Sequence, residues 1–348
     1  MTNIVVVGAG KWAHECWAPL LRTHQQHYTV RAVVDRDITR ALSLSDAIGS
    51  GPVSTHVTIT EALDRHSDLD AGIVVTSPEH HARVIIELAD AGLHVLTEKP
   101  LIVDPADLDP LTAAVDRAGI KLAVIQNYRY QNRIQTARRI LASGQLGDLH
   151  YVMARFAADY RIVGAWDVGD AHTMDDPLLI EASIHHLDMI RYLSGADITH
   201  VTAATANPAG SSFQGDSIGG LLLRLANGAF ALYEATLLAA GSENRWRSER
   251  YRAECRDGSL TCDGPTLTVT RGRDVHTLHV PDTDMFDGHR HQVTAFAHWL
   301  TGQGPTVETT LDDNVRSIST VFAALTSTRT GMTTEVRTTN APASCRER

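Results

Sequence analysis

The 348 residues carry a formal net charge of -10, with 43% hydrophobic and 21% charged residues. That balance suits a globular protein of two domains, and it excludes a polyanionic partner such as nucleic acid while leaving a cationic one open. No apolar run approaches the ~18 residues of a membrane span, and the chain enters its first strand at Ile4 without a basic, apolar, cleavable leader, so no membrane association and a cytoplasmic location are expected. The four cysteines, Cys16, Cys255, Cys262 and Cys345, have neither metal-type spacing nor disulfide density and read as reduced.

Ile4 to Val7 is a continuous apolar run, followed by Gly8-Ala9-Gly10-Lys11-Trp12-Ala13 and a stretch whose Trp17, Leu20 and Leu21 fit one helical face. A Gly-x-Gly-x-x-Ala loop between strand and helix is where a dinucleotide pyrophosphate meets backbone amides. Gly8 permits the turn, Gly10 the close approach and Ala13 the packing of helix on sheet. Lys11 and Trp12 fall in the same loop as candidate cofactor contacts. The strand Val30 to Val34 ends at Asp35, where a carboxylate accepts from ribose hydroxyls and repels a 2′-phosphate, so NAD is preferred over NADP. Arg36 pulls the other way, as a partner for that phosphate or a platform for adenine.

The strand Ala71 to Val75 runs into Thr76-Ser77-Pro78-Glu79-His80-His81. Pro78 opens a helix carrying Val84, Ile85, Leu88 and Ala89 that stops at Gly92. Thr76, Ser77 and His81 are candidates for the cofactor cleft. Gly92 to Thr97 is a short apolar strand closed by Glu98-Lys99-Pro100. Ligands of an open parallel sheet lie beyond the carboxyl ends of its strands, which aims Lys99 at the ligand; a lone Glu-Lys pair is otherwise a solvated ion pair. A helix from about Asp107 to Ala118 and the strand Lys121 to Ile125 complete a doubly wound sheet of five or six parallel strands.

The second half changes character. Ile134, Ala137, Ile140 and Leu141 form a helical stripe ending near Gly144. Strand-like segments follow at Leu149 to Phe156, His200 to Thr205, Ser217 to Leu225, Ala229 to Thr236 and Thr266 to Thr270. Without long helices between them they imply an antiparallel sheet, with Asn227-Gly228 as a hairpin turn. Helices return at His291 to Leu300 and Asp312 to Leu325. The expected fold class is α/β: an N-terminal Rossmann domain with a doubly wound parallel sheet over residues 1-126, then a C-terminal α+β domain with a large, mainly antiparallel open sheet over 127-338. Residues 339-348 read as a disordered tail.

Glu181, His185 and Asp188 are spaced by four and three residues, so a helix places them on one face. Such a cluster does general-base work, His185 taking a proton and a carboxylate orienting the ring, or else it is a solvated acidic face with a satisfied histidine. His185 and His186 point about 100° apart on a helix and make poor joint ligands, so no metal is expected.

The glycine loop, Asp35, the Thr-Ser-Pro-Glu-His-His run and above all Gly-Leu-His-Val-Leu-Thr-Glu-Lys-Pro resemble the Gfo/Idh/MocA oxidoreductase family, which includes inositol and sugar dehydrogenases. The resemblance implies that Lys99 contacts the reacting oxygen. It also implies that Asn127-Tyr128-Arg129-Tyr130 links the domains, with Glu98 and Asn127 among the cofactor contacts, and that the open sheet is a dimer or tetramer interface. The family's second motif, an acid, a histidine four residues on and an aspartate three further, falls on Glu181, His185 and Asp188. Two departures stand out: the acid is Glu where Asp is commoner, and Asp175-Asp176-Pro177 replaces a glycine-rich approach.

The implied reaction is reversible hydride transfer between NAD and a secondary carbinol of a sugar or cyclitol. His185 and Lys99 act on the carbinol oxygen with Glu181 beside them, and Tyr160, Trp166, Asp175 and Asp176 are candidate substrate contacts. Asp167, Asp170, Asp175 and Asp176 together would favour a substrate bearing ammonium groups, such as an amino sugar or an aminoglycoside intermediate, unless they form a solvated acidic loop. An NAD-dependent glycosidase and a non-catalytic cofactor-sensing regulator are the alternative readings on this fold.

Overall fold

The structure, a computed structural model, describes residues 1–49, 51–162, 170–241, 249–281, 284 and 286–337. In the first part strands and helices alternate: β1 (Thr2–Val7), α1 (Ala18–Thr23), β2 (Tyr28–Val34), α2 (Ile38–Ile48), β3 (Ser54–His56), α3 (Ile59–Arg65), β4 (Ala71–Val74), α4 (His81–Asp90), β5 (His94–Thr97), α5 (Leu108–Ala118) and β6 (Leu122–Val124). The six strands are all parallel, in the order β3-β2-β1-β4-β5-β6. Ile4, Val6, Val33 and Ile73 are fully buried because helices cover both faces of such a sheet. Local chemistry starts the helices: Asp37 accepts from the Thr39 amide at the head of α2, and Thr58 from the Glu61 amide at the head of α3. Strand order reverses between β1 and β4, which opens a crevice at their carboxyl ends.

Beyond β6 come α6 (Asn132–Ala142), β7 (Leu149–Ala157), α7 (Ile184–Ser194), β8 (Ile198–Ala206), β9 (Ile218–Leu225), β10 (Phe230–Thr236), β11 (Arg250–Cys255), β12 (Gly258–Asp263), β13 (Thr266–Arg271), β14 (Asp274–His279), α8 (Asp287–Leu300), α9 (Leu311–Thr330) and β15 (Thr334–Glu335). The strands form a nine-stranded sheet ordered β14-β13-β12-β11-β7-β10-β9-β8-β15. Gly228, at φ +86°, turns β9 into β10, a backbone conformation that glycine adopts at least cost. The sheet is antiparallel except that β10 runs parallel to β7. That pairing needs a long crossover, which the chain from α7 through β9 provides. No helix among the described residues is long and apolar enough to cross a membrane.

The chain divides into two compact units: Met1–Asn127 with Phe286–Asn314, and Tyr128–Met285 with Val315–Arg348. This corrects the simple division at residue 126, because α8 returns to the first unit. The reason is packing. Val293, Phe296 and Ala297 share one core with Ile4, Trp17 and Val33, Tyr28 donates to the Val293 carbonyl at 2.7 Å, and Gln292 bonds both the Gln126 amide and the Val124 carbonyl. The sheet end alone leaves that apolar surface uncovered. The tail expected over 339–348 lies outside the described residues.

Candidate active site

In the first unit the glycine loop is built as the sequence requires. Gly8 has φ +102°, and a Cβ there would sit 2.6 Å from the Val75–Thr76 peptide, so only glycine fits. At Gly10 nothing lies within 4 Å of the Cβ position, which leaves that side of the loop open to a ligand. Asp35 pins the loop from β2, one carboxylate oxygen accepting from the Ala9 amide at 2.7 Å and the other from the Asp37 amide at 2.9 Å. Arg36 and Ser77 are both exposed. The Thr76 hydroxyl is buried with no hydrogen-bond partner among the described residues. A cradle that admits no Cβ, an open glycine, a carboxylate at the end of the second strand and an orphaned hydroxyl together fit a nicotinamide dinucleotide. Gly8, Gly10, Asp35 and Thr76 are the residues that would hold it.

The helix after the loop begins as a π turn, Ala13–Trp17, where the apolar periodicity predicts a plain α-helix. Trp12 and Trp17 are five residues apart, about 140° around an α-helix, but π hydrogen bonds run from i to i+5 and bring such a pair to one side. Both indoles donate to the same Glu98 oxygen, at 2.7 and 2.9 Å, and His289 of α8 lies 3.4 Å from it. Burial by itself would raise the Glu98 pKa. The nearby His289 ring and the two indole donors overcome it and hold the carboxyl at about 2. Glu98, expected to face the cofactor, is instead an internal anchor whose carboxylate is taken up by protein donors. Ala13 is buried against the core, whereas Lys11 is exposed and pairs with Glu15 at 3.6 Å.

Half-buried Lys99 follows Glu98, its amide 3.3 Å from the second Glu98 oxygen. His81 corrects a second expectation, since its ring is fully buried between the carbonyls of Pro100 and Thr76 at 2.8 and 3.0 Å and offers no surface to a ligand. Asn127 is half-buried, its carbonyl so close to Gly288 that a Cβ there would come within 2.1 Å. Gln126, just past the carboxyl end of β6, escapes a periodicity argument: it is 1% exposed, and neither atom of its amide head has a partner among the described residues. Polar character next to an apolar strand was the available signal.

In the second unit Pro177 opens another π turn, Leu178–Ser183, which runs directly into α7. His185 is 5% exposed and stacks on Tyr128 with ring centroids 4.3 Å apart and planes 10° from parallel. Asp188 does not orient that ring. It is gripped by Arg129 through two bonds of 2.7 and 2.5 Å and by the Ser317 hydroxyl at 2.7 Å. The fixed fork of a guanidinium satisfies a buried carboxylate better than a single imidazole N–H can. Tyr128 is the aromatic partner of that ring.

His186 belongs to a separate buried network, 2.6 Å from the Tyr233 hydroxyl and 3.6 Å from Glu249, which Arg133 meets at 2.9 Å. Burial again pushes the Glu249 carboxyl up, but the nearby His186 ring and the Arg133 guanidinium win and hold it at about 2. Half-exposed Glu181 lines a narrow cleft with buried Tyr160, Pro177 and Phe213, and burial pushes the Tyr160 phenol up. Asp175 is exposed, whereas the Asp176 carboxylate meets Arg329 at 2.9 Å, which compensates part of the expected acidic field. Trp166 and Asp167 lie outside the described residues.

Comparison with known proteins bears on both units. The oxidoreductase family with an NAD-binding Rossmann fold matches residues 2–126, and the GFO/IDH/MocA C-terminal domain matches residues 134–261. The chain belongs to the Gfo/Idh/MocA family. This Gfo/Idh/MocA protein is therefore an oxidoreductase with an NAD-binding Rossmann fold. It is 25% identical over 284 residues to D-apiose dehydrogenase of Paraburkholderia graminis, covering 78% of this chain and 74% of that one. It is 31% identical over 206 residues to an Amycolatopsis mediterranei protein assigned as a UDP-kanosamine synthase oxidoreductase subunit, covering 58% and 54%. Its fold matches an Agrobacterium radiobacter oxidoreductase solved with NAD+, L-tartaric acid and magnesium, with a TM-score of 0.82 at 19% identity over 96% of this chain and 98% of that one.

Proposed function

We propose that this enzyme transfers hydride between NAD(H) and a secondary alcohol or ketone of a sugar or cyclitol, and that an amino sugar or aminocyclitol, of the kind used in aminoglycoside assembly, is its preferred substrate class. The observation that carries the reading is the dinucleotide cradle of Gly8, Gly10 and Asp35 in the same parallel sheet that ends β5 in Lys99. When bound, the nicotinamide supplies the two-electron acceptor for the carbinol carbon. His185 removes the hydroxyl proton as the general base. The Lys99 ammonium, hydrogen-bonded to the same oxygen, stabilises its growing negative charge. Tyr128, stacked on the imidazole, keeps the ring in one plane. Glu181 contributes a carboxylate to the substrate side.

Asp35 supports NAD over NADP, because its charge at the end of β2 repels a 2′-phosphate. Exposed Asp175 supports an ammonium-bearing substrate, as does the likeness to a protein whose name refers to an aminosugar nucleotide. We also propose a cytoplasmic homodimer or homotetramer formed through the nine-stranded sheet. The reading is tested by a NAD-reduction screen over inositols, sugars, aminosugars and nucleotide sugars, with each amine compared with its hydroxyl analogue. Lys99→Ala and His185→Ala should each lower turnover by on the order of a hundredfold while NADH binding stays nearly intact. Full turnover in either variant removes that residue from the mechanism, and equal rates for amine and hydroxyl substrates leave a neutral polyol.

A further inference from the structure

Glu98 receives two indole N–H groups on one oxygen, and the two indoles come from different surroundings. Trp12 follows open Gly10 by two residues, where the glycine loop passes into helix, and is 39% exposed. Trp17 lies in the π turn and is fully buried in the core shared with Ile4 and Val33. Trp12 donates to Oε1 of Glu98 at 2.7 Å and Trp17 to the same atom at 2.9 Å, while the other oxygen accepts from the Lys99 amide at 3.3 Å. An indole only donates and an ionised carboxylate only accepts, so both bonds stand without any choice of tautomer. Trp17 fixes Glu98 to the core, and Trp12 ties it to the glycine loop. We propose that Trp12 is a positioning residue that couples occupancy of the glycine loop to the placement of Lys99, through the shared carboxylate of Glu98. A dinucleotide that draws the loop into its bound geometry carries the Trp12 indole with it, shifts the balance of the two bonds on Glu98, and so sets the turn that bears Lys99. The catalytic consequence rests on the assignment of Lys99 to the reaction; the coupling itself does not.

ADP-ribose separates coupling from contact. It carries the pyrophosphate that the glycine loop takes but no nicotinamide, so it fills the loop without a group that could reach Lys99. Amide hydrogen exchange is followed over residues 8–13 and 98–102, with and without saturating ADP-ribose, in the unaltered protein, Trp12→Phe and Trp17→Phe. Each substitution keeps an aromatic ring and removes one donor from the same Glu98 oxygen, so the two variants differ in which element is untied. In the unaltered protein ADP-ribose should slow exchange over both segments, by roughly fivefold or more. Trp12→Phe should keep the protection of 8–13 and lose that of 98–102, and its kcat on the substrate found by the NAD-reduction screen should fall by roughly fivefold. Trp17→Phe should lower the melting temperature and keep the protection of both segments. Loss of the 8–13 protection in Trp12→Phe would make Trp12 a direct binding residue and overturns the proposal. So does protection of 98–102 that persists in Trp12→Phe, that disappears equally in both variants, or that is absent from the unaltered protein. Should Lys99→Ala retain full turnover, the catalytic reading falls by itself, and the exchange pattern still decides the coupling.

Discussion

Two glutamates show how far a single side chain can be moved by its neighbours. Glu98 and Glu249 sit one in each unit, both buried, and both are held at about 2 from an ordinary value of 4.5. A carboxyl whose pKa is lower folded than unfolded contributes stability that is fully present above 4.5 and is lost as the pH falls toward 2. Denaturant midpoints measured from pH 6 downward should therefore fall across that window. Glu98→Gln and Glu249→Gln should each start from a lower midpoint and flatten part of the slope. An unchanged slope in both variants would mean that other carboxylates govern acid unfolding. At this scale the sequence was legible only in part. Lys99 and His185 stand out by type and setting, but the partner of Glu98 could not be read, since Trp12 and Trp17 lie 86 and 81 residues away along the chain.

At the scale of elements, the strand ends carry most of the chemistry. The carboxyl end of β2 places Asp35 where it holds the glycine loop through the Ala9 amide. Asp35→Ser should consequently do two things: shift selectivity toward NADP as exposed Arg36 meets the phosphate, and weaken NAD itself by up to about tenfold because the Ala9 amide loses its carboxylate. Isothermal titration of both dinucleotides measures each effect, and an unchanged ratio of the two affinities would remove Asp35 as the selector. The helices were less legible than the strands. Periods of three and four residues point to α-helix, yet Ala13–Trp17 and Leu178–Ser183 are π turns. The extra residue per turn is favoured by what it brings together, two indoles on one carboxylate in the first case, and local periodicity does not register that gain.

At the scale of the whole molecule, one face of the nine-stranded sheet carries exposed apolar side chains. Leu222, Phe230 and Leu232 are 44%, 47% and 43% exposed, and Leu232 lies across from Leu222 on one side and Met153 on the other. An apolar row of this kind suits a second copy of the same face. Leu222→Asp together with Leu232→Asp should drive the proposed assembly to monomer in sedimentation velocity without unfolding it, and an unaltered sedimentation coefficient would place any assembly elsewhere. The sequence by itself determined the parallel sheet, the glycine loop and the position of Lys99 at a strand end, because strand alternation, helix breaks and glycine geometry act between near neighbours in the chain. Only the tertiary structure decided that α8 returns to the first unit and that Asp188 serves Arg129 rather than His185. Arg129 stands 59 residues before Asp188, and which partner a buried charge takes depends on what packing delivers to it, with the penalty for leaving it unpaired enforcing the choice.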